Sequence, residues 1–293
     1  YICKPYYTGA QPQGSPPPEI LHGGTLLALS KSPKPGVRPI VIGSAIRRLT
    51  VRAALDGLTP ALDAYFTKSH ERVIQLAGGA PDGATRAFKL MEQVLEQNVQ
   101  DDPRPPDEKL ANPWSVLCCD RTNAFNRVAR SPALDNLAGV ASRDYDFRPD
   151  GTARIRKGTE LLYCTKALQP LAAHIHAVYT QAARLRHRCK ASGTVIDILA
   201  TTGVQQGDPA AMLLWNLALH PVLCRVMDRH PGVLAICFAD NVFLLGLAQD
   251  VLAAQHDLEG QLCRDLSATP NHKESYFHAP AWTAAGLTTD TIP

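Results

Sequence analysis

The sequence predicts an α+β protein, on three observations: apolar runs joined by tight polar turns, helix-spaced apolar stretches between them, and enough apolar residues to bury both. With 293 residues and 45% hydrophobic content, the chain can bury one large core or two modest ones. No run of about 18 consecutive apolar residues occurs, which excludes a spanning helix on sequence grounds. The N-terminus Tyr1-Ile2-Cys3-Lys4 has neither a starting Met nor a charged segment ahead of an apolar one, so the chain reads as an intracellular excerpt of something longer, not secreted. Its eight cysteines show no C-x-x-C spacing and lie mostly in apolar runs, the pattern of reduced core thiols. A net charge of +3 is too small to identify a polyanionic partner, so the placement of the positive charge matters more than its sum.

Residues 1–20 hold Pro5, Pro12, Pro16, Pro17 and Pro18 among glycines and polar residues and read as an arm or linker. From Leu21, a strand at Leu26 to Leu29 and a second at Val37 to Ile42 flank a Lys/Pro/Gly turn, giving a hairpin with Lys31, Lys34 and Arg38 at or near its tip. The next apolar residues, Ile46, Leu49, Val51, Leu55 and Leu58, recur at helical spacing after Ser44 as N-cap, and Pro60 marks the expected end. A second helix covers Gly83 to Val99. Gln100 to Pro113, with its prolines and mixed charges, is an exposed connection.

Three segments then carry chemistry. Val116 to Cys119 form an apolar strand that ends in Asp120, with Phe125 five residues on; read singly, Asp120 caps a helix starting near Ala124 and Phe125 is a core aromatic. Gly203 to Pro209 form a Gly-rich turn before a strongly apolar helix, with Gly207 free to approach a ligand, Asp208 as N-cap and Pro209 in the first turn. Ala235 to Gly246 form a hairpin, apolar on both sides, whose turn offers Asp240 and Asn241. Farther back, Arg184, Arg186 and Arg188 alternate along a strand, so they share one face and offer several cations to phosphates; the plain alternative is a solvated edge protected by charge. His174 and His176 have no third ligand at metal spacing and read as structural helix residues.

In this order and spacing, the segments resemble the motifs of reverse transcriptases, nearest those of non-LTR retrotransposons. Asp120 and Phe125 match the first palm motif, Gln206 to Pro209 the second, and Phe238-Ala239-Asp240 the aromatic-Ala-Asp-Asp hairpin, from which Asn241 departs. Ser30 to Ile40 resembles the fingers hairpin of that family and Leu266 to Phe277 its fourth palm motif. The resemblance spans about Leu21 to Phe277 and implies a right-hand polymerase: residues 21–113 mainly fingers, 114–280 palm with an inserted segment near 141–165, and 281–293 a tail or the start of a missing thumb. It implies a small antiparallel palm sheet backed by helices, with no complete thumb.

The resemblance also implies a reaction: template-directed transfer of a nucleotide, the RNA-directed DNA polymerase activity, within a larger retroelement polyprotein. Two Mg2+ ions, with Mn2+ as substitute, would stabilise the attacking and leaving oxygens of an in-line displacement, and hard cations take carboxylate oxygens, here Asp120 and Asp240. Lys31, Arg38 and Lys273 would meet the phosphates of a deoxynucleoside triphosphate, Phe125 would exclude a 2′-hydroxyl, and Gln206 with Gly207 would line the floor beneath the new base pair. RNA template and DNA primer are the implied macromolecular partners. Asn241 removes one negative charge from the turn, Ala210 to Met212 replace the Leu-Gly-Pro usual after Gln-Gly-Asp-Pro, and the 141–165 segment is rich in charge and glycine; these departures are also those of a decaying copy. Two other functions therefore stand beside polymerisation of DNA: a catalytically silent remnant that binds nucleic acid, and an RNA-dependent RNA polymerase, against which the bulk of Phe125 argues.

Overall fold

The computed structural model describes residues 23–31, 36–78, 81–138, 145–147, 153–155, 161–162, 164–179 and 182–286. The Pro-rich arm at 1–20, Lys34, Cys3, residues 287–293 and much of 141–165 lie outside them. The chain divides into two compact units, one drawn from Tyr1–Ala61 with Phe125–Leu217 and the other from Leu62–Ala124 with Ala218–Pro293.

In the first unit, β1 (Gly24–Ser30) and β2 (Val37–Gly43) form the expected hairpin, with Leu29 opposite Arg38. β1 also pairs in parallel with β8 (Ala183–Arg188), which pairs with β9 (Val195–Ala200), giving a four-stranded sheet in the order β2-β1-β8-β9. Strand alternation puts Leu26, Val41, Ala183, Leu185 and Ala200 on the face that packs inward. Between these hairpins run α5 (Arg130–Ala138) and α6 (Cys164–Tyr179), which pack on one another. Three short strands, β5 (Tyr145–Phe147), β6 (Ala153–Ile155) and β7 (Leu161–Leu162), pair as an antiparallel sheet of their own within the segment read as an insertion. Arg130 ties this unit's loops together by donating to the carbonyls of Tyr179, Ala200, Thr202 and Gly203 at 2.7–3.2 Å, an accounting of backbone acceptors that the intervening loop cannot satisfy by itself.

The second unit is built on a five-stranded sheet in the order β12-β4-β11-β10-β3. Its strands are β3 (Val73–Gln75), β4 (Trp114–Cys119), β10 (Leu234–Phe238), β11 (Asn241–Leu247) and β12 (Tyr276–His278), antiparallel throughout except where β10 meets β3. One sheet face, with Val116, Cys118, Ile236, Phe243 and Leu245, is covered by α2 (Gly83–Gln100) through Ala87, Leu90, Met91, Val94 and Leu95. α8 (Ala248–Leu266) packs on β4 and β11 and buries Val251, Ala254, Leu258 and Leu262. The central strands are apolar on both faces because both faces are covered. Among the described residues no helix is long and apolar enough to cross a membrane, and no disulfide occurs: Cys118, Cys119, Cys224 and Cys237 are buried thiols, while Cys263 is exposed.

Pro60 does not end its helix. α1 spans Ala45–Lys68 with Pro60 inside it, because the turn beyond carries Leu62, Tyr65 and Phe66, all buried, and their packing outweighs the one lost backbone hydrogen bond. Tyr65 and Phe66 hold the buried His220 ring at centroid distances of 5.1 and 5.4 Å, and Ser69 Oγ lies 2.7 Å from its Nε2. His220 sits in α7 (Ala211–Arg229), which likewise continues through Pro221. Burial, with the nearby His70 charge second, lowers His220 to about 3. The unfolded chain takes up a proton near pH 6.5 that the folded chain refuses until far lower pH, so acid favours unfolding. His220→Gln removes that difference: the stability gap between wild type and variant should shrink by about 2 kcal/mol from pH 7 to pH 5 in urea titrations. A pH-independent gap would contradict the neutral, buried imidazole.

Candidate active site

Asp120 and Asp240 come from different strands and reach the same end of the second unit's sheet. β4 and β11 are in register from Leu247↔Trp114 to Val242↔Cys119, so one further step sets Asp120 opposite Asn241. β10 and β11 close with Phe238 opposite Asn241, leaving Ala239 and Asp240 as a two-residue turn. Neighbouring strands lie about 5 Å apart, so the turn that carries Asp240 and the strand end that carries Asp120 lie side by side at one end of the sheet. The electrostatics agree: burial pushes the Cys118 thiol up to about 11, and the charges of both Asp120 and Asp240 add to that rise. Ala239 takes a left-handed conformation, φ 57°, which costs an L-residue about 1–2 kcal/mol and is retained here at the turn that presents Asp240.

Asp120 is held from several sides. Its backbone N–H donates to Ser275 Oγ at 3.0 Å, its carbonyl accepts from the Asn271 N–H at 3.0 Å, and its Oδ2 accepts from Asn271 Nδ2 at 2.6 Å. Next to it, Arg121 is buried, donates to the Asp120 carbonyl at 3.3 Å and lies 3.7 Å from Glu259. Lys273 is exposed in the turn between Asn271 and β12, the same turn that holds Asp120. Sequence reasoning found Lys273 there and missed Asn271 and Ser275, since nothing local distinguishes a polar turn residue that reaches a strand end 151 positions earlier.

The donor set can accept a hard divalent cation in one way. Among the described residues, no three His, Cys, Asp or Glu side chains are grouped to hold a metal. Asp120 and Asp240 are the residues that could hold a hard divalent cation, whose remaining positions substrate oxygens and water would have to fill. Of the two Asp120 carboxylate oxygens, Oδ2 already accepts from Asn271, so Oδ1 is the one that could face such an ion.

The remaining candidates lie in the first unit. Arg38 is exposed on β2, and Lys31 is half-buried at the end of the hairpin, its N–H donating to the Gly36 carbonyl at 3.0 Å. Phe125, in α4 (Ala124–Arg127), is buried with its ring 5.8 Å from that of Trp215, and its carbonyl accepts from the Val204 N–H. The Gln-Gln-Gly-Asp-Pro loop docks on β2: the Gln206 carbonyl accepts from the Val41 N–H at 2.7 Å. Gly207 has φ 101°, and a Cβ there would stand 2.6 Å from the Val41 carbonyl oxygen, so its glycine is required by close packing on β2. Gln206 Oε1 is buried with no hydrogen-bond partner.

Asp208 differs from expectation as well. The helix begins at Ala211, two residues after Pro209; Asp208 Oδ1 caps the preceding turn at the Ala210 N–H, 2.9 Å away. Its other oxygen receives Arg47 Nη2 at 2.9 Å, with both side chains 1% exposed, and the same nitrogen donates to Gln205 Oε1 at 2.8 Å. Gly43 leaves the room: a Cβ there would come within 2.5 Å of the Arg47 guanidinium. Arg184, Arg186 and Arg188 do share the exposed face of β8, yet Asp197 on β9 pairs with Arg186 at 3.0 Å and Arg184 at 3.9 Å, offsetting part of that charge. His174 is buried and His176 lies 3.1 Å from the Leu134 carbonyl, structural placements for both.

No family model and no curated protein matches this chain. Solved structures do. Telomerase from Candida albicans in complex with the TWJ fragment of telomeric RNA aligns over 90% of this chain and 43% of its own, with TM-score 0.52 and 11% identity. Apo telomerase from Candida tropicalis aligns over 97% and 48%, TM-score 0.55, 12% identity, and its TWJ RNA complex over 93% and 43%, TM-score 0.55, 13% identity. The chain thus spans less than half the length of each, and the likeness defines a reverse-transcriptase-like fold.

Proposed function

We propose that the chain is the fingers-and-palm part of an RNA-directed DNA polymerase of the non-LTR retrotransposon kind, acting with divalent cations. The observation that carries this reading is the convergence of Asp120 and Asp240 at one sheet end, from a strand terminus and a hairpin turn far apart in sequence. A Mg2+ ion held by those carboxylates would supply charge neutralisation at the transferring phosphate. The chain's own part would be geometric: the register brings the Asp120 and Asp240 positions to one sheet end, and the Asn271–Ser275 turn holds Asp120. The nucleotide roles of Lys31, Arg38, Gln206, Gly207 and Lys273, the phosphate roles of Arg184, Arg186 and Arg188, and the pairing with RNA template and DNA primer enter this reading through the motifs.

Primer extension on an RNA template, with Mg2+ and then Mn2+, tests it with the chain as it stands and with Asn241→Asp. Extension by the natural chain is the expected result, with Asn241→Asp faster because a third carboxylate faces the cations. Activity only in Asn241→Asp would favour the second reading, a retired catalyst on an intact scaffold, for which Asn241 is the specific observation. Extension by neither would overturn the proposal. Including ribonucleotides and Phe125→Val in the same assay reads the steric role; an unchanged deoxy-to-ribo preference would leave Phe125 as the core aromatic its burial describes.

A further inference from the structure

The turn from Asn271 to Ser275 does more than border the site. It makes three hydrogen bonds to one residue: to the N–H, the carbonyl and the carboxylate of Asp120. The Ser275 hydroxyl satisfies both of its roles within this turn, accepting from the Asp120 N–H and donating to the Asn271 carbonyl at 3.1 Å. A hydroxyl has one proton to give, so this arrangement leaves no choice of orientation. Asn271 N–H meanwhile holds the Asp120 carbonyl, and the Asn271 carbonyl also accepts from the Ser275 N–H at 3.0 Å, so the turn is itself braced. The side-chain bond from Asn271 Nδ2 to Asp120 Oδ2 is the shortest of these at 2.6 Å, as expected for an amide donating to an ionised carboxylate.

We infer that Asn271 is a positioning residue for the cation site: its amide fixes the rotation of the Asp120 carboxylate, so that one oxygen is engaged and the other is presented for a divalent ion. This rests on the polymerase reading of the same site. Asn271 acts through Asp120 and touches no reacting group. Carboxylates that bind metals are themselves oriented by hydrogen-bond donors, and loss of such a partner typically costs about 10–100-fold in metal affinity or activity. The effect should be large here, because Asn241 has removed the charge that elsewhere would help retain the ion, leaving the orientation of two carboxylates to do more of the binding.

The test uses Mn2+ as probe, followed by electron paramagnetic resonance of the free ion, with the full chain, a dideoxy-terminated primer on an RNA template and the next deoxynucleotide. Asn271→Ala should weaken Mn2+ binding about 10-fold and, in a parallel assay with an unblocked primer, raise the Mg2+ concentration for half-maximal extension by a similar factor, with little change in the KM for the deoxynucleotide. Asn271→Ser, which restores a shorter donor, should recover part of both. Unchanged Mn2+ affinity and an unchanged Mg2+ optimum in Asn271→Ala, with the variant folded by its melting transition, would overturn the inference while leaving the polymerase reading intact. Equal loss in the Ala and Ser variants, accompanied by a lowered melting transition, would also overturn it by reducing Asn271 to a structural brace. If the wild-type chain neither binds Mn2+ in this complex nor extends the unblocked primer, the functional reading fails and the inference with it.

Discussion

Replacing either Asp120 or Asp240 by Asn is expected to lower nucleotide transfer about 10^3-fold, the rate equivalent of losing roughly 4 kcal/mol of transition-state stabilisation. An amide is nearly isosteric with a carboxylate, so the fold should survive while the charge facing the cation falls. Because both side chains would act on one site, the two effects should not add: Asp120→Asn with Asp240→Asn should be little slower than either single variant. Independent, multiplying losses would mean that the carboxylates serve different steps. Asp120→Asn carries a second consequence, since its new amide can place a donor against Asn271 Nδ2 and break the 2.6 Å bond. Its melting transition should therefore fall more than that of Asp240→Asn.

The second large effect concerns stability. Arg47→Ala should destabilise the chain by about 3–5 kcal/mol, because it leaves the Asp208 carboxylate, 1% exposed, without its cation and strips Gln205 Oε1 of a donor. Burying two charges is costly, and the pair is worth less than its disruption suggests. Replacing both partners together, Arg47→Met with Asp208→Leu, should therefore recover much of the loss in urea denaturation. Full recovery is not expected, since Asp208 Oδ1 also caps the turn at Ala210. A single-variant loss below about 1 kcal/mol would show that water reaches the pair. The consequence is local: the Gln-Gln-Gly-Asp-Pro loop is fixed on α1 through this pair and on β2 through the Val41–Gln206 backbone bond.

What could be read from the sequence was set by short-range pattern. The β1–β2 hairpin, the α2 helix from Gly83 and the β10–β11 hairpin each declare themselves within about a dozen residues, through alternation, helical spacing or turn chemistry. Asp120 and Asp240 were legible as candidates through the resemblance of their segments to palm motifs; read singly, Asp120 was as well explained as a helix cap. That the two positions reach one sheet end is seen only in the register of β4 on β11. What stayed hidden depends on partners remote in sequence. Pro60 reads as a helix end until Tyr65 and Phe66 are seen around His220. Arg47 reads as one of several helix arginines until Gly43 and Asp208 enclose it. Nothing near Gly207 in sequence shows that it also packs against the Val41 backbone. The helix spacing pointed the other way, since the apolar Ile46 and Leu49 beside it are exposed while Arg47 is buried.

The convergence of Asp120 and Asp240 on one divalent cation is the claim on which the functional reading stands. Hydroxyl-radical cleavage by Fe2+ substituted for Mg2+, in the complex with primer, RNA template and deoxynucleotide, measures it directly, because radicals cut backbone close to the bound ion. Paired cuts beside Asp120 and beside Asp240, both suppressed by excess Mg2+ and both lost in Asp240→Ala, are the predicted result. Cleavage at only one of the two positions, or at neither, would contradict a shared cation site.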